Sequence, residues 1–216
     1  MKIILENTMV AGFLMALRGM RNPASSWNKT DSTMRGGKYS PWAPEIYTPE
    51  YPFIGPEDMK LCQKLVKAGP EHAKFLRQIQ VWVDITIPRY IWQELDTYKI
   101  GTVRNSCSTR PSELKKKAFT TGDFIDGDIG ETVLEDLNNL ANEYRDKKDK
   151  ELLRKLKKHL PEGYLQKATY SLNYQNVFNI RHQRKSHWLS DWQIIIHWID
   201  RLPYVKAFLG EEEAFK

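Results

Sequence analysis

With 216 residues, 41% of them hydrophobic and 12% aromatic, the chain is long enough to bury a sizeable core and too rich in rings for disorder. Its two cysteines make no disulfide framework and no zinc site by themselves, which fits a reducing cytoplasm, and no apolar run approaches a membrane span. The net charge of +6 invites a nucleic-acid reading, but Arg145 to Lys158 holds eight Lys/Arg against Asp146, Asp149 and Glu151, a surplus of five, so nearly all of it reads as one solvated basic helix face and nucleic acid is not the expected partner.

Lys2 to Leu5 reads as a short strand rather than part of a signal peptide, and Val10 to Met20 reads as a helix with Phe13, Leu14, Leu17 and Met20 apolar. Residues 22 to 52 carry prolines at 23, 41, 44, 49 and 52 and the pair Gly36-Gly37, the signature of a long irregular loop. Trp27, Tyr39, Trp42 and Tyr47 in it suit an ordered lid or a subunit contact. Gly55-Pro56-Glu57-Asp58 opens a helix that Gly69 closes. Ile79, Val81, Val83, Ile85 and Ile87 then alternate with polar residues and Trp82, the period of a strand with one buried face, which Pro88 stops. A helix through Tyr90, Trp92 and Leu95 should run to Gly101, and Thr102 to Arg110 follows as a small, polar, basic loop. Either an anion-binding rim or a solvated Ser/Thr turn accounts for that loop.

Pro111 to Gly130, with Lys115 to Lys117, reads as a surface excursion. Thr132 opens a helix with Leu134, Leu137, Leu140 and Ala141 on one side, and the basic helix with Leu152, Leu153 and Leu156 ends at Leu160-Pro161. Leu172 to Arg184 is crowded with amides and carries two arginines, so as a helix it is either exposed or reads a polar ligand. Ser190 to Gln193 has the form of a capping box opening a helix with Ile194, Ile195, Trp198, Ile199 and Leu202 in the core. The whole is expected to be a single domain, 1 to 216.

No Gly-rich phosphate loop, HExxH, nucleophile elbow or paired-Cys motif is present. His182, His187 and His197 do not reproduce a metal-ligand spacing, and Cys107 between two serines is more often a small buried thiol than a nucleophile. The residues themselves favour a composite pocket: Lys157, Arg181 and Arg184 for phosphate or a carbonyl oxygen, Asn173 and Asn179 for a ring edge, and the hydroxyl loop 102 to 110.

Lys157, Leu160-Pro161, Asn173, Asn179 and Arg184 fall, without a gap, on the C-terminal signature of flavin-dependent thymidylate synthases, which this chain resembles. Pro88-Arg89, Glu94-Leu95 and the loop after them resemble the family's central segment, and Gly69-Pro70-Glu71-His72 faintly echoes its Gly-His region. The resemblance covers roughly residues 55 to 110 and 150 to 205, in matching order. Where the family has Arg-His-Arg this chain has Thr97-Tyr98-Lys99. Its Ser is Cys107, or Ser108 after one insertion, and an Arg is replaced by Gln175.

The resemblance implies an α+β fold, a small mostly antiparallel sheet with flanking helices, in a cytoplasmic homotetramer whose sites lie between subunits. It implies reductive methylation of dUMP to dTMP with FAD, methylenetetrahydrofolate and NADPH. Arg184 would polarise the uracil. Asn173, Gln175, Asn179, His72, Lys99 and Ile100 would hold the cofactor, and Glu94, Lys157, Cys107, Ser108, Arg110 and Arg184 the nucleotide. The alternatives are a non-catalytic nucleotide- or flavin-binding descendant, and a basic single-strand nucleic-acid binder using its tryptophans as stacking platforms.

Overall fold

The computed structural model describes residues 2–40, 43–107 and 118–211, without the side chains of Met34, Arg35, Ser40 and Glu50. The fold is α+β, with a mixed six-stranded sheet. In chain order the described elements are β1 (Ile4–Ala11), α1 (Phe13–Met20), β2 (Thr33–Ser40), β3 (Ala43–Phe53), α2 (Pro56–Lys67), β4 (Gln80–Pro88) and α3 (Arg89–Leu95). They continue as β5 (Val103–Ser106), α4 (Glu131–Lys147), α5 (Lys150–His159), β6 (Leu165–Asn173), α6 (Tyr174–Arg184), α7 (Asp191–Asp200) and α8 (Val205–Phe208). Strand order is β2-β3-β1-β4-β6-β5, with β2 and β3 antiparallel and β1 and β3 parallel. The chain divides into two compact units: Met1–Ile4, Ile85–Thr97 and Asn105–Ala168 form one, and Leu5–Asp84, Tyr98–Arg104 and Thr169–Lys216 the other.

The first unit has its own apolar centre. Phe119, Phe124, Leu137, Ala141, Leu156 and Leu160 are buried together, so the segment read as a surface excursion supplies two core rings. Tyr164 packs edge-on to both rings, at 6.0 and 5.8 Å between centroids. Trp92 of α3 is fully buried and donates its indole N–H to the Gln166 carbonyl at 2.8 Å.

In the second unit, Phe13, Tyr174, Tyr204 and Phe208 form an aromatic core. Residues 22 to 52 are not a long loop: two 3-10 turns precede the hairpin β2–β3, paired from Thr33↔Phe53 to Ser40↔Ala43. Tyr39 and Tyr47 pack on each other at 5.1 Å between centroids, and Trp27 donates to Asn22 Oδ1 at 2.8 Å; Trp42 lies outside the described residues. The turn before the hairpin is anchored from below. Asp58 on α2 is fully buried, pairs with Arg21 at 2.6 Å, and accepts from the Thr30 and Ser32 hydroxyls at 2.6 Å each. Asp31 caps the same helix by accepting from the Glu57 and Asp58 backbone N–H groups.

Several boundaries move. The first strand extends to Ala11, so the helix starts only at Phe13; α3 ends at Leu95; and Leu172 and Asn173 belong to β6. Ser190 has helical backbone angles and no side-chain cap bond, so the expected capping box does not form, and Gln193 instead donates to the Lys185 carbonyl at 3.2 Å. Ile194 is 45% exposed rather than core.

Candidate functional site

The amide-rich helix α6 is neither exposed nor free to read a ligand along its length, because Tyr174, Asn176, Val177, Phe178, Ile180 and Arg181 are buried. Its amides serve the backbone first. Asn173 Oδ1 accepts from the Asn176 N–H at 3.1 Å while Asn176 Oδ1 accepts from the Asn173 N–H at 3.2 Å, a reciprocal cap of the helix start. Asn176 Nδ2 also donates to the Ile100 carbonyl at 2.9 Å, tying the helix to the turn before β5. That turn passes so close that a Cβ on Gly101 would lie 2.5 Å from Asn173 Nδ2, and Gly101 has φ +76, a region costly to other residues.

On the outer face of α6, Asn179 is exposed and accepts from Gln175 Nε2 at 3.1 Å. Gln175 Oε1 is buried with no hydrogen-bond partner among the described residues. Arg181 is taken up by ion pairs. Its Nε pairs with Asp200, and its Nη1 and Nη2 donate to Glu211 at 2.9 and 2.6 Å. Burial works against its charge, but the bonds and charges of Glu211 and Asp200 outweigh that and push its pKa up.

Arg184, the last residue of α6, is half-buried in a clamp. Its Cζ stands 4.8 Å over the Trp192 ring and 6.0 Å from the Tyr98 centroid, and its Nε donates to the Tyr98 hydroxyl at 3.2 Å. That hydroxyl donates in turn to Gln183 Oε1 at 2.9 Å. His187 lies edge-on to Trp192 and stacks on the exposed Trp188 at 5.9 Å. Lys99 and Ile100, between Tyr98 and Gly101, are exposed, Ile100 by 86%.

His72, also exposed, lines a separate cleft of about 880 Å³ in the same unit. Lys29, Lys60, Lys64 and Lys74 stand around it against Glu57 and Glu71, with Met20, Leu61 and Phe75 among its apolar walls. This is a cationic rim over an apolar floor, suited to a ligand joining a flat ring to an anion.

In the other unit, Lys157 is exposed and lines an open groove of about 330 Å³ with Lys150, Leu153, Arg154 and Lys158 of α5. Glu94 is half-buried near the end of α3, and its carbonyl accepts from the Thr97 hydroxyl at 2.7 Å. Cys107 is exposed, against the expectation of a small buried thiol. Its backbone is fixed by Cys107 N–H to the Lys167 carbonyl at 2.8 Å and by Gln166 Nε2 to its own carbonyl at 3.1 Å. Ser108 and Arg110 lie outside the described residues. No group of three or more His, Cys, Asp or Glu among those residues could hold a metal ion.

The clamp around Arg184 escaped a reading of the sequence. Tyr98 registers there only as a missing histidine, and Trp192 only as part of a capping pattern; the signal is their shared spacing to Arg184 in space, which no local pattern encodes. The lysine rim had a trace: Lys60 and Lys64 are four apart on a helix whose other face is apolar.

No family model matches the chain, and no curated protein matches it. Solved structures do. A crystal structure of thymidylate synthase X (ThyX) from Helicobacter pylori with FAD and dUMP superposes with a TM-score of 0.68 at 18% identity, over 98% of this chain and 97% of that one. A structure described as flavin-dependent thymidylate synthase ThyX from the same organism, complexed with FAD and dUMP, gives 0.67 at 19% identity over 100% of both chains. The chain has the ThyX-like fold along its whole length.

Proposed function

We propose that this chain is a flavin-dependent thymidylate synthase-like enzyme that converts dUMP to dTMP by reductive methylation. The observation that carries the reading is Arg184, which follows Asn179 by five residues as in the resembled signature and is half-buried with its guanidinium held between Trp192 and Tyr98. A cation fixed in one orientation suits a pyrimidine carbonyl on which negative charge develops, since a preorganised donor needs no rearrangement as the charge grows.

The side chains also fit a flavin dinucleotide. Gln175 Oε1 is a buried acceptor suited to a ring N–H, and the lysine-rimmed cleft that holds His72 suits a phosphate-linked ring. In this reading Asn173, Gln175, Asn179, His72, Lys99 and Ile100 serve the cofactor, and Glu94, Lys157, Cys107, Ser108 and Arg110 serve the nucleotide with Arg184. A bound flavin would supply the hydride of the reductive methylation, with methylenetetrahydrofolate as the one-carbon source and NADPH as the reductant. The chain's own part is to orient dUMP and to stabilise charge at its carbonyl through Arg184. Cys107 is not needed as a nucleophile, and neighbouring subunits of a homotetramer complete each site.

The purified protein is expected to be yellow, with flavin absorption bands. Arg184→Lys should fold and keep its flavin, yet dUMP-dependent oxidation of reduced flavin should fall by roughly 10²–10³, the scale for losing one preorganised donor. Equal rates in the two proteins would remove Arg184 from catalysis. A second reading, ligand binding without turnover, draws support from Thr97-Tyr98-Lys99, which lacks the two guanidiniums of the resembled motif, because lysine does not reproduce a bidentate contact. Flavin and dUMP binding with no dUMP-dependent oxidation would favour that second reading.

A further inference from the structure

Arg184 closes α6, a place where a long side chain has rotamer freedom to lose. Two contacts that restrict it come from outside the helix. The Trp192 ring lies under the guanidinium at 4.8 Å, and the Tyr98 hydroxyl receives Nε–H at 3.2 Å. The polarity of that hydroxyl is itself fixed. A phenol has one proton to give, and here it goes to Gln183 Oε1 at 2.9 Å, which turns a lone pair of the oxygen toward Arg184. One contact rests the guanidinium on the indole and the other ties its Nε, so the two restrict the group from two directions. Tyr98 is 8% exposed, so its ring is held in place by packing while both bonds are part-buried.

We propose that Tyr98 is a positioning residue. Its hydroxyl, aimed by Gln183, holds Arg184 against Trp192 in the single orientation that presents the guanidinium edge to a planar ligand bearing an oxygen acceptor. This deepens the proposed function and rests on Arg184 as the group that meets the pyrimidine. Tyr98 also occupies the middle of Thr97-Tyr98-Lys99, so the chain gains here a neutral acceptor for its arginine where the resembled motif has an imidazole. The indole contributes a cation–π contact and excludes water from one face, which strengthens the remaining polar contacts.

The test reads the clamp in two ways. In the full-length protein labelled with ¹⁵N-arginine, the Arg184 Nε–H resonance should be resolved and slow to exchange with solvent. Tyr98→Phe, which keeps the ring and removes the oxygen, should abolish that protection while leaving the melting temperature and flavin absorbance near those of the parent. Affinity for dUMP should weaken roughly tenfold or more, the scale of a hydrogen bond to a charged group. In an Arg184→Lys background the same change should shift dUMP affinity by no more than about twofold, because the hydroxyl then has no guanidinium to hold. Gln183→Leu, at an exposed position, leaves Tyr98 in place and should give the same loss of protection if Tyr98→Phe does not fold.

Unchanged Nε–H protection in Tyr98→Phe overturns the proposal. So does an equal loss of dUMP affinity in the parent and Arg184→Lys backgrounds, which would mark Tyr98 as a general packing residue. A parent protein that binds no dUMP would sink the pyrimidine reading instead, and the Nε–H measurement would still decide the clamp.

Discussion

Asp58 is a buried carboxylate whose two oxygens face Arg21, Thr30 and Ser32. Burial pushes its pKa up, but the hydrogen bonds from Ser32, Thr30 and Arg21, with the Arg21 charge, outweigh that and hold it below the ordinary value. A depressed folded-state pKa means the stabilisation is fully present above the unfolded value, about 3.9, and is lost as pH falls through the folded value. Asp58→Asn leaves Arg21 charged and buried, with a side chain 5% exposed. The expected cost at neutral pH is about 3–5 kcal/mol, read as a lower urea midpoint, with the gap to the parent narrowing below about pH 4. A constant gap from pH 7 to pH 3 would remove the ionised carboxylate from the account. None of this was legible beforehand: Asp58 reads locally as a first-turn acid of α2, and its partner Arg21 lies 37 residues away.

Two elements were hidden by their own chemistry. β3 contains Pro44, Pro49 and Pro52, which in a sequence argue against an inner strand. Its parallel pairing with β1 runs through Ile46 and Tyr47, between the prolines, so the missing N–H groups fall outside that contact. On the other side Gly37 supplies room, since a Cβ there would come 2.7 Å from the Pro49 carbonyl oxygen. The amides of α6 misled in the opposite sense: they look solvated, yet Asn173 and Asn176 are buried and bonded to the helix start and to the Ile100 carbonyl. Strand β4 was legible because its alternation is local, with Val81, Val83, Ile85 and Ile87 all buried. Gly101→Ala should therefore destabilise by about 1–3 kcal/mol through positive φ and the contact with Asn173. Asn173→Ala should cost nearer 1 kcal/mol as a lost cap. Thermal melts of both variants check the order; alanine at 101 matching the parent would mean the turn relaxes freely.

For the whole molecule, the motifs in roughly residues 55 to 110 and 150 to 205, in matching order, were legible as a ThyX-like α+β fold, and the solved structures share that fold over essentially the full length. Chemistry was less legible than fold. Fold depends on buried periodicity, which many sequences satisfy, whereas a site depends on a few side chains, and Thr97-Tyr98-Lys99 stands where the resembled motif has Arg-His-Arg. Net charge belongs to the same scale. Lys150, Arg154, Lys157 and Lys158 stand on one exposed helix, with Arg154 facing Glu151 at 3.4 Å. Such a face attracts polyanions weakly and loses them to salt, so oligonucleotide binding should be no tighter than about 10⁻⁴–10⁻⁶ M at physiological salt. Tighter, salt-resistant binding in a fluorescence-anisotropy titration would revive the nucleic-acid reading. No helix among the described residues is long and apolar enough to cross a membrane.

The two sulfhydryls sit in opposite surroundings. Cys62 is fully buried against the Met20 sulfur at 3.4 Å, and desolvation, with the nearby Asp58 charge, pushes its pKa far up. Cys107 is open to solvent just past β5, one residue before Ser108 and three before Arg110. The native protein thus carries its own address for covalent labelling. A maleimide dye or spin label used under gentle conditions attaches where the chain enters its hydroxyl-rich stretch, with no engineered mutation and no competing thiol. The label then reports on the surroundings of that stretch from a position the chain itself supplies.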